Sequence, residues 1–219
     1  MTHTSTLADP QVAAAITRMF ELAEQDGDVA SRLGGVTPGS GAHQELADAA
    51  SEIYMPISAE GGKLLYNLVR AVRPATVVEF GMSFGISTLH LAAAVRDNGT
   101  GHVFTTEMSK DKIAAARKTF AETGLDDLIT VLEGDAQETL ADLEGPVDFV
   151  LLDGWKDLCR PVLRLLEPRL RPGTLVVADD VDQCQGALRP YLEYVRDPAN
   201  GYHNVTFPIE DGMEISCRL

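Results

Sequence analysis

The apolar positions change period about a third of the way along the chain. In "PQVAAAITRMFELAEQ" (10–25), Val12, Ile16, Met19, Phe20 and Leu22 recur at three- and four-residue steps, which lays them along one side of a helix. "GGVTPGSGAH" (34–43) has no period and concentrates Gly, Pro and Ser, so it reads as a loop and as the best linker in the chain. A second helical piece follows, then a third, "SAEGGKLLYNLVRAV", with Ser58 placed to cap its first turn. From residue 75, short apolar runs alternate with helical stretches. "ATVVEFG", "HVFTTEM", "ITVLEGD", "VDFVLLD" and "GTLVVADD" read as strands. "STLHLAAAVR", "KDKIAAARKTFAETG", "AQETLADL", "LCRPVLRLLEPRL" and "QGALRPYLEYVRD" read as the helices that follow them, the second closed by Gly124 and the fourth interrupted early by Pro161. The last stretch, "NVTFPIEDGMEISCRL", holds two more strand-like runs around the turn pair Asp211-Gly212. Strands alternating with helices build a mainly parallel sheet covered on both faces. The expected fold is α/β: a doubly wound, Rossmann-like sheet of seven strands, parallel except for a C-terminal antiparallel hairpin. Residues 1–55 are expected to form a helical extension, and residues 56–219 one compact unit.

Length and charge narrow the function. At 219 residues the chain can bury a full core in one large domain. No apolar run approaches the roughly 20 residues that a membrane-crossing helix needs, so no membrane partner is expected. The opening "MTHTSTLADP" lacks the basic start and apolar stretch of a secretory signal. The three cysteines (Cys159, Cys184 and Cys217) are odd in number and lack metal-type spacing. Both features favour a reducing, cytoplasmic location. Acids outnumber bases 33 to 18, for a net charge of −15, and no lysine or arginine cluster stands out. A nucleic-acid partner is excluded on that ground, because phosphate neutralisation supplies most of such affinity. A small neutral or cationic ligand suits this charge better than a large anion.

The acids are not scattered. In open α/β sheets, ligands bind beyond the carboxyl ends of the strands. Glu79 closes the first predicted strand, Glu107 the second, Asp135 the third, Asp153 the fourth, and Asp179 with Asp180 the fifth. One such acid is ordinarily a solvated loop residue or a helix cap; all five strands ending this way is a pattern. "VVEFGMSFGIST" is a strand, a glycine turn and a helix start, yet Ser83 replaces the middle glycine of a phosphate-binding loop. Glu107 is placed to accept hydrogen bonds from ribose hydroxyls. An acid at Glu79 favours a cationic cofactor over a pyrophosphate, which points to S-adenosylmethionine and away from a nicotinamide dinucleotide. Asp153, Asp179 and Asp180 converge without His or Cys, as a hard cation such as Mg²⁺ requires. Lys156 lies one helical turn beyond Asp153 and can reach the same pocket; the plain alternative makes Asp153 a helix cap and Lys156 a surface charge. His43, His90 and His203 read as structural, and Cys159 and Cys217 as small core residues. Tyr202 and His203 fall near one end of the sheet, with nothing in the pattern to say which.

The residues from about Ile57 to Val181 resemble a class I S-adenosylmethionine-dependent methyltransferase of the catechol O-methyltransferase-like, metal-dependent group. "LLDGWKD" is similar to that group's metal-and-base motif, "ADDV" to its second metal motif, and "TTEMS" to its ribose-binding strand end. The resemblance implies that Glu107 binds the ribose, that Met108 and Trp155 flank the adenine, and that Asp135, Ala136 and Gln137 hold its edge. Gly81 and Ser87 would contact the methionine portion, Ile57 would lie over it, and Glu79 and Asp153 would border the same cofactor. Asp153, Asp179 and Asp180 would hold Mg²⁺ or another divalent cation, with Lys156 as general base. The implied reaction is O-methylation of a small hydroxylated molecule of catechol or vicinal-diol type. A metal-independent N- or C-methyltransferase and a non-catalytic S-adenosylmethionine-binding protein remain as alternatives. Such enzymes build a substrate lid, and often a homodimer contact, in the region of residues 1–55. The group carries Asp-Asn where this chain has Asp179-Asp180, and the extra carboxylate makes the site more negative.

Overall fold

A computed structural model describes residues 5–27 and 43–219; the linker expected at 34–43 lies outside the described residues except for His43. The strands are β1 (Thr76–Phe80), β2 (His102–Glu107), β3 (Ile129–Glu133), β4 (Val147–Leu152), β5 (Leu170–Ala178), β6 (Tyr202–Phe207) and β7 (Met213–Arg218). They form one sheet in the order β3-β2-β1-β4-β5-β7-β6. β1 to β5 are parallel, whereas β7 runs antiparallel between β5 and β6. The order reverses between β1 and β4, and such a reversal opens the crevice in which α/β sheets bind ligands.

The helices are α1 (Pro10–Ala23), α2 (His43–Ala49), α3 (Ala59–Val72), α4 (Ile86–Asn98), α5 (Lys110–Thr123), the single turn α6 (Ala136–Thr139), α7 (Cys159–Leu166) and α8 (Gln185–Arg196). Alternation along the strands separates two cores. Val77, Phe149, Leu151 and Val177 face a cluster built with α1, α3, α4 and α5. Val78, Phe80, Val150, Leu152, Val176 and Ala178 face a second cluster built with α7 and α8. α4 is buried from Ile86 to Val95, because it lies beneath other helices as well as on the sheet. This explains why its sequence is apolar on every side rather than on one stripe. Ser58 caps α3 as expected, its side chain accepting from Gly61 N at 2.9 Å.

α1 starts on Asp9, whose carboxylate accepts from the amides of Gln11 and Val12. Its inward face is Val12, Ala15 and Met19, with Ile16 and Phe20 packed alongside. Leu22, included by spacing, is 39% exposed because the helix leaves the core in its last turn. The C-terminal hairpin also differs in detail. Asp211-Gly212 ends a loop spanning 208–212, closed by Gly212 N on Ile209 O at 2.7 Å. Pro208 cannot donate to the ladder, so pairing stops at Phe207 and the turn lengthens. The same loop is bound to the exit of β5, with Val181 N on Gly212 O at 3.1 Å and Asp182 N on Asp211 O at 2.8 Å. Tyr202 pairs with Arg218, one residue past the Leu175–Cys217 pair that ends the β5–β7 ladder on its entry side, so Tyr202 and His203 lie at the edge opposite the strand exits. Among the described residues no helix is long and apolar enough to cross a membrane.

Because α1 shares its core with the sheet, Met19→Ala should lower global stability by about 2–5 kcal/mol in a single thermal transition. Scanning calorimetry checks this. A main transition left in place would show that residues 1–55 fold apart from the sheet.

Candidate active site

The exits of β1 and β4 are in direct contact. Asp153 N donates to Phe80 O at 2.8 Å, and a Cβ on Gly81 would stand 2.5 Å from Gly154 Cα. Gly81 (φ +94) is therefore required first by the neighbouring strand exit, before any approach of a cofactor. On the other side of β4, Asp179 N donates to Leu152 O at 3.3 Å. Asp180 follows with φ +60, a left-handed conformation that Asp and Asn tolerate better than most residues. These backbone contacts bring carboxylate oxygens of Asp153, Asp179 and Asp180 within 4.8 Å of one another. Lys156, on the 3₁₀ turn Lys156–Leu158, enters the same space. Its Nζ lies 2.9 Å from Asp153 Oδ1 and 2.8 Å from Asp180 Oδ2.

The electrostatics follow from like charges out of water. Burial, then Asp153 and Asp180, push the Asp179 carboxyl up to about 8. Burial also raises Asp153 to about 6; Lys156 opposes the rise and Asp180 adds to it. Burial works against charge on Lys156, but Asp153 and Asp180 outweigh it and hold the ammonium well above the ordinary lysine range. Three carboxylate donors without nitrogen or sulfur suit a hard divalent cation. The residues fit such an ion, since a positive charge already stands among them.

The exits of β1, β2 and β3 form the other half of the crevice. Glu79 is fully buried: Oε2 accepts from Thr88 and Thr105 at 2.5 Å each, while Oε1 has no partner. Burial raises its carboxyl to about 7, opposed by the nearby hydroxyls of Ser87, Thr105 and Thr88. An orphaned acid oxygen in a cleft fits a cationic ligand. Glu107 is oriented by three backbone amides: Ser83 N on Oε2 at 2.8 Å, and Met108 N at 2.9 Å and Ser109 N at 2.8 Å on Oε1. Gly134 N donates to Glu107 O at 2.8 Å, which draws the β3 exit alongside. There Asp135 caps α6, accepting from Gln137 N at 2.8 Å. The Ala136 methyl is buried in the second core, so that residue can meet a ligand only through its backbone. Gln137 is exposed. Trp155 is half-buried against the second core, and Ile57 and Ser87 are buried.

Sequence reasoning missed several contacts here. His43, read as structural, has Nε2 at 3.0 Å from Asp157 Oδ2, joining α2 to the turn that carries Lys156. No local pattern signals a pair so far apart in the chain. Ser83, noted only as a missing glycine, bonds to Tyr54 and Lys112. His90 is buried against Gly62 with Nδ1 on Ile86 O at 2.8 Å, and burial lowers its pKa, as a structural histidine requires. Cys159 is buried, its thiol pushed up to about 12 by burial.

Comparison with known proteins agrees with this geometry. A family model described as a methyltransferase domain matches residues 78–181. Catechol O-methyltransferase B of Danio rerio is 31% identical over 179 residues, which is 75% of this chain and 66% of that one. Catechol O-methyltransferase of Sus scrofa is 32% identical over 149 residues, covering 65% of this chain and 78% of that one. The crystal structure of cofactor-bound Rv0187 from MTB superposes with a TM-score of 0.70 at 25% identity, over 89% of this chain and 97% of that one. The chain belongs to the catechol O-methyltransferase-like family of class I S-adenosylmethionine-dependent O-methyltransferases.

Glu79 gives this site a pH signature. Its proton is held more tightly in the folded chain, at about 7 against an ordinary 4.5. Its contribution to stability is therefore complete below 4.5 and is lost as pH rises through about 7. Glu79→Gln should flatten the fall of melting temperature between those values in ligand-free protein. Equal slopes for variant and wild type would contradict the assignment.

Proposed function

We propose that this chain transfers the methyl group of S-adenosylmethionine to a hydroxyl of a small catechol or vicinal diol. In this reading Asp153, Asp179 and Asp180 hold Mg²⁺ or a similar divalent cation, and Lys156 takes the hydroxyl proton. The observation that carries it is the placement of Lys156 Nζ at 2.9 and 2.8 Å from two of three clustered carboxylates. The names of the zebrafish and pig relatives support the substrate class.

When bound, the sulfonium supplies the methyl group and the divalent cation supplies a Lewis acid that lowers the pKa of an adjacent hydroxyl. The chain's own residues do the rest. Paired with Asp153 and Asp180, Lys156 is firmly protonated and cannot act as a base. With those two acids committed to a cation, the pairing that holds the Lys156 proton would be lost, and burial would favour the neutral amine. Nζ would then offer a lone pair for the substrate proton. At the cofactor end, Glu107 would hold the ribose, and Met108 and Trp155 would flank the adenine, with Asp135, Ala136 and Gln137 along its edge. Gly81, Ser87, Ile57 and Glu79 would surround the methionine portion. Fixing both ends would align the reacting groups and exclude water.

Lys156→Ala should lower kcat by about 10²–10⁴-fold while the dissociation constant of S-adenosylhomocysteine stays within about threefold, about 0.7 kcal/mol. EDTA should abolish turnover of a catechol, and added Mg²⁺ should restore it. Turnover that survives chelation would sink the metal assignment and favour a metal-independent methyltransferase.

A further inference from the structure

Lys112, on α5, is only 3% exposed, although lysine is seldom fully buried. Its Nζ donates to Ser83 Oγ at 2.9 Å and stands 5.4 Å from the centre of the Phe84 ring. Ser83 Oγ lies 2.6 Å from the carbonyl oxygen of Tyr54. An ammonium can only donate, and a hydroxyl has a single proton. The Ser83 proton must therefore point at Tyr54, and the order Lys112, Ser83, Tyr54 is fixed in direction.

Ser83 joins pieces that are distant in sequence. It has a left-handed backbone (φ +49), and its N–H holds Glu107 Oε2 at 2.8 Å. Tyr54 stacks on Phe84 with ring centres 4.0 Å apart. The amides of Tyr54 and Met55 each donate to Asp26 at 2.9 Å. Residues 54–57 thus form a strap across the exit turn of β1, ending at the buried Ile57.

We propose that Lys112 is a positioning residue for the cofactor, fixing through Ser83 both the 54–57 strap and the Glu107 carboxylate. The inference rests on the family's cofactor lying in this crevice. Packing alone does not explain a lysine here, because methionine would fill the space without burying a charge. Among the described residues, the charged groups acting on the amine are Glu107 at the β2 exit and Asp26 beyond α1, while Arg18 acts on Tyr54. Burial lowers the Lys112 pKa to about 8, against the pull of Glu107 and Asp26. A neutral amine can accept as well as donate. Above that pH the Ser83 proton is free to turn back to Lys112, and the strap loses its anchor at Tyr54.

The test is calorimetric titration of S-adenosylhomocysteine into wild type, Lys112→Met, Ser83→Ala and the double variant, with melting temperatures measured on ligand-free protein. Each single change should weaken binding by about tenfold, roughly the loss of one charge-assisted hydrogen bond. The double variant should lose no more than either single one. Lys112→Met should melt no lower than wild type. Wild-type affinity should fall between pH 7.5 and 9 relative to that of Lys112→Met, a comparison that cancels titration of the ligand and of other groups. Unchanged affinity in Lys112→Met with the same pH curve as wild type would overturn the proposal. So would weakened binding accompanied by a lower melting temperature in Lys112→Met but with Ser83→Ala unaffected, since that marks a structural role. If Lys112→Met fails to fold, Ser83→Ala decides alone, and unchanged binding there overturns the proposal. Wild type that binds no S-adenosylhomocysteine would overturn the cofactor reading beneath it, and this inference with it.

Discussion

Three carboxyl groups held within 4.8 Å at a half-buried strand edge need positive charge or a proton among them, and that requirement shapes the whole corner. Like charges at such distances repel strongly wherever water cannot screen them. The chain meets the requirement with Lys156, whose turn follows Asp153 closely enough for its amine to bridge Asp153 and Asp180. The parallel sheet sets the problem by delivering the ends of β4 and β5 side by side. The fit of Gly81 against Gly154 keeps the β1 exit close to them. In the proposed reaction, the ion pair that neutralises the acids would also block the lysine as a base, so that protein charge and a bound cation would be alternatives at the same oxygens.

The cofactor side is organised differently. Backbone amides aim Glu107, and an unpartnered oxygen is left on Glu79. The Glu107 carboxylate is thus pre-paired, while Glu79 keeps a buried oxygen without a hydrogen-bond partner. Preorganised donors and acceptors suit methyl transfer, where alignment supplies much of the rate. The His43–Asp157 pair and the Tyr54–Ser83 bond tie the N-terminal helices to both ends of the crevice.

Much of this was legible in the sequence because its signals are local. Period and turn residues placed each strand that leads into the crevice, and parallel alternation put Glu79, Glu107, Asp135, Asp153 and Asp179 on one edge. The resemblance to the methyltransferase family rested on motifs of a few adjacent residues, and the relatives bear it out. What escaped depends on tertiary approach. The end of the sheet occupied by Tyr202 follows from pairing partners rather than from its own neighbours. The five-residue hairpin loop hid behind an Asp-Gly pair that ordinarily marks a shorter turn. Leu22 fits the helical stripe, but where the core ends is not written in that stripe. Nothing in the helix pattern sets Lys112 apart from its exposed neighbours Lys110 and Lys118. Only the crossing of the strap and the β1 exit buries it.

In the proposed reaction a divalent cation and the Lys156 ammonium would exchange places on Asp153 and Asp180. The most direct measurement is anomalous diffraction from crystals soaked in Mn²⁺ and S-adenosylhomocysteine. A Mn²⁺ peak is expected among Asp153, Asp179 and Asp180, with Lys156 Nζ withdrawn from at least one of its two aspartates. No peak at that position, with both Lys156 ion pairs intact at saturating Mn²⁺, would contradict it.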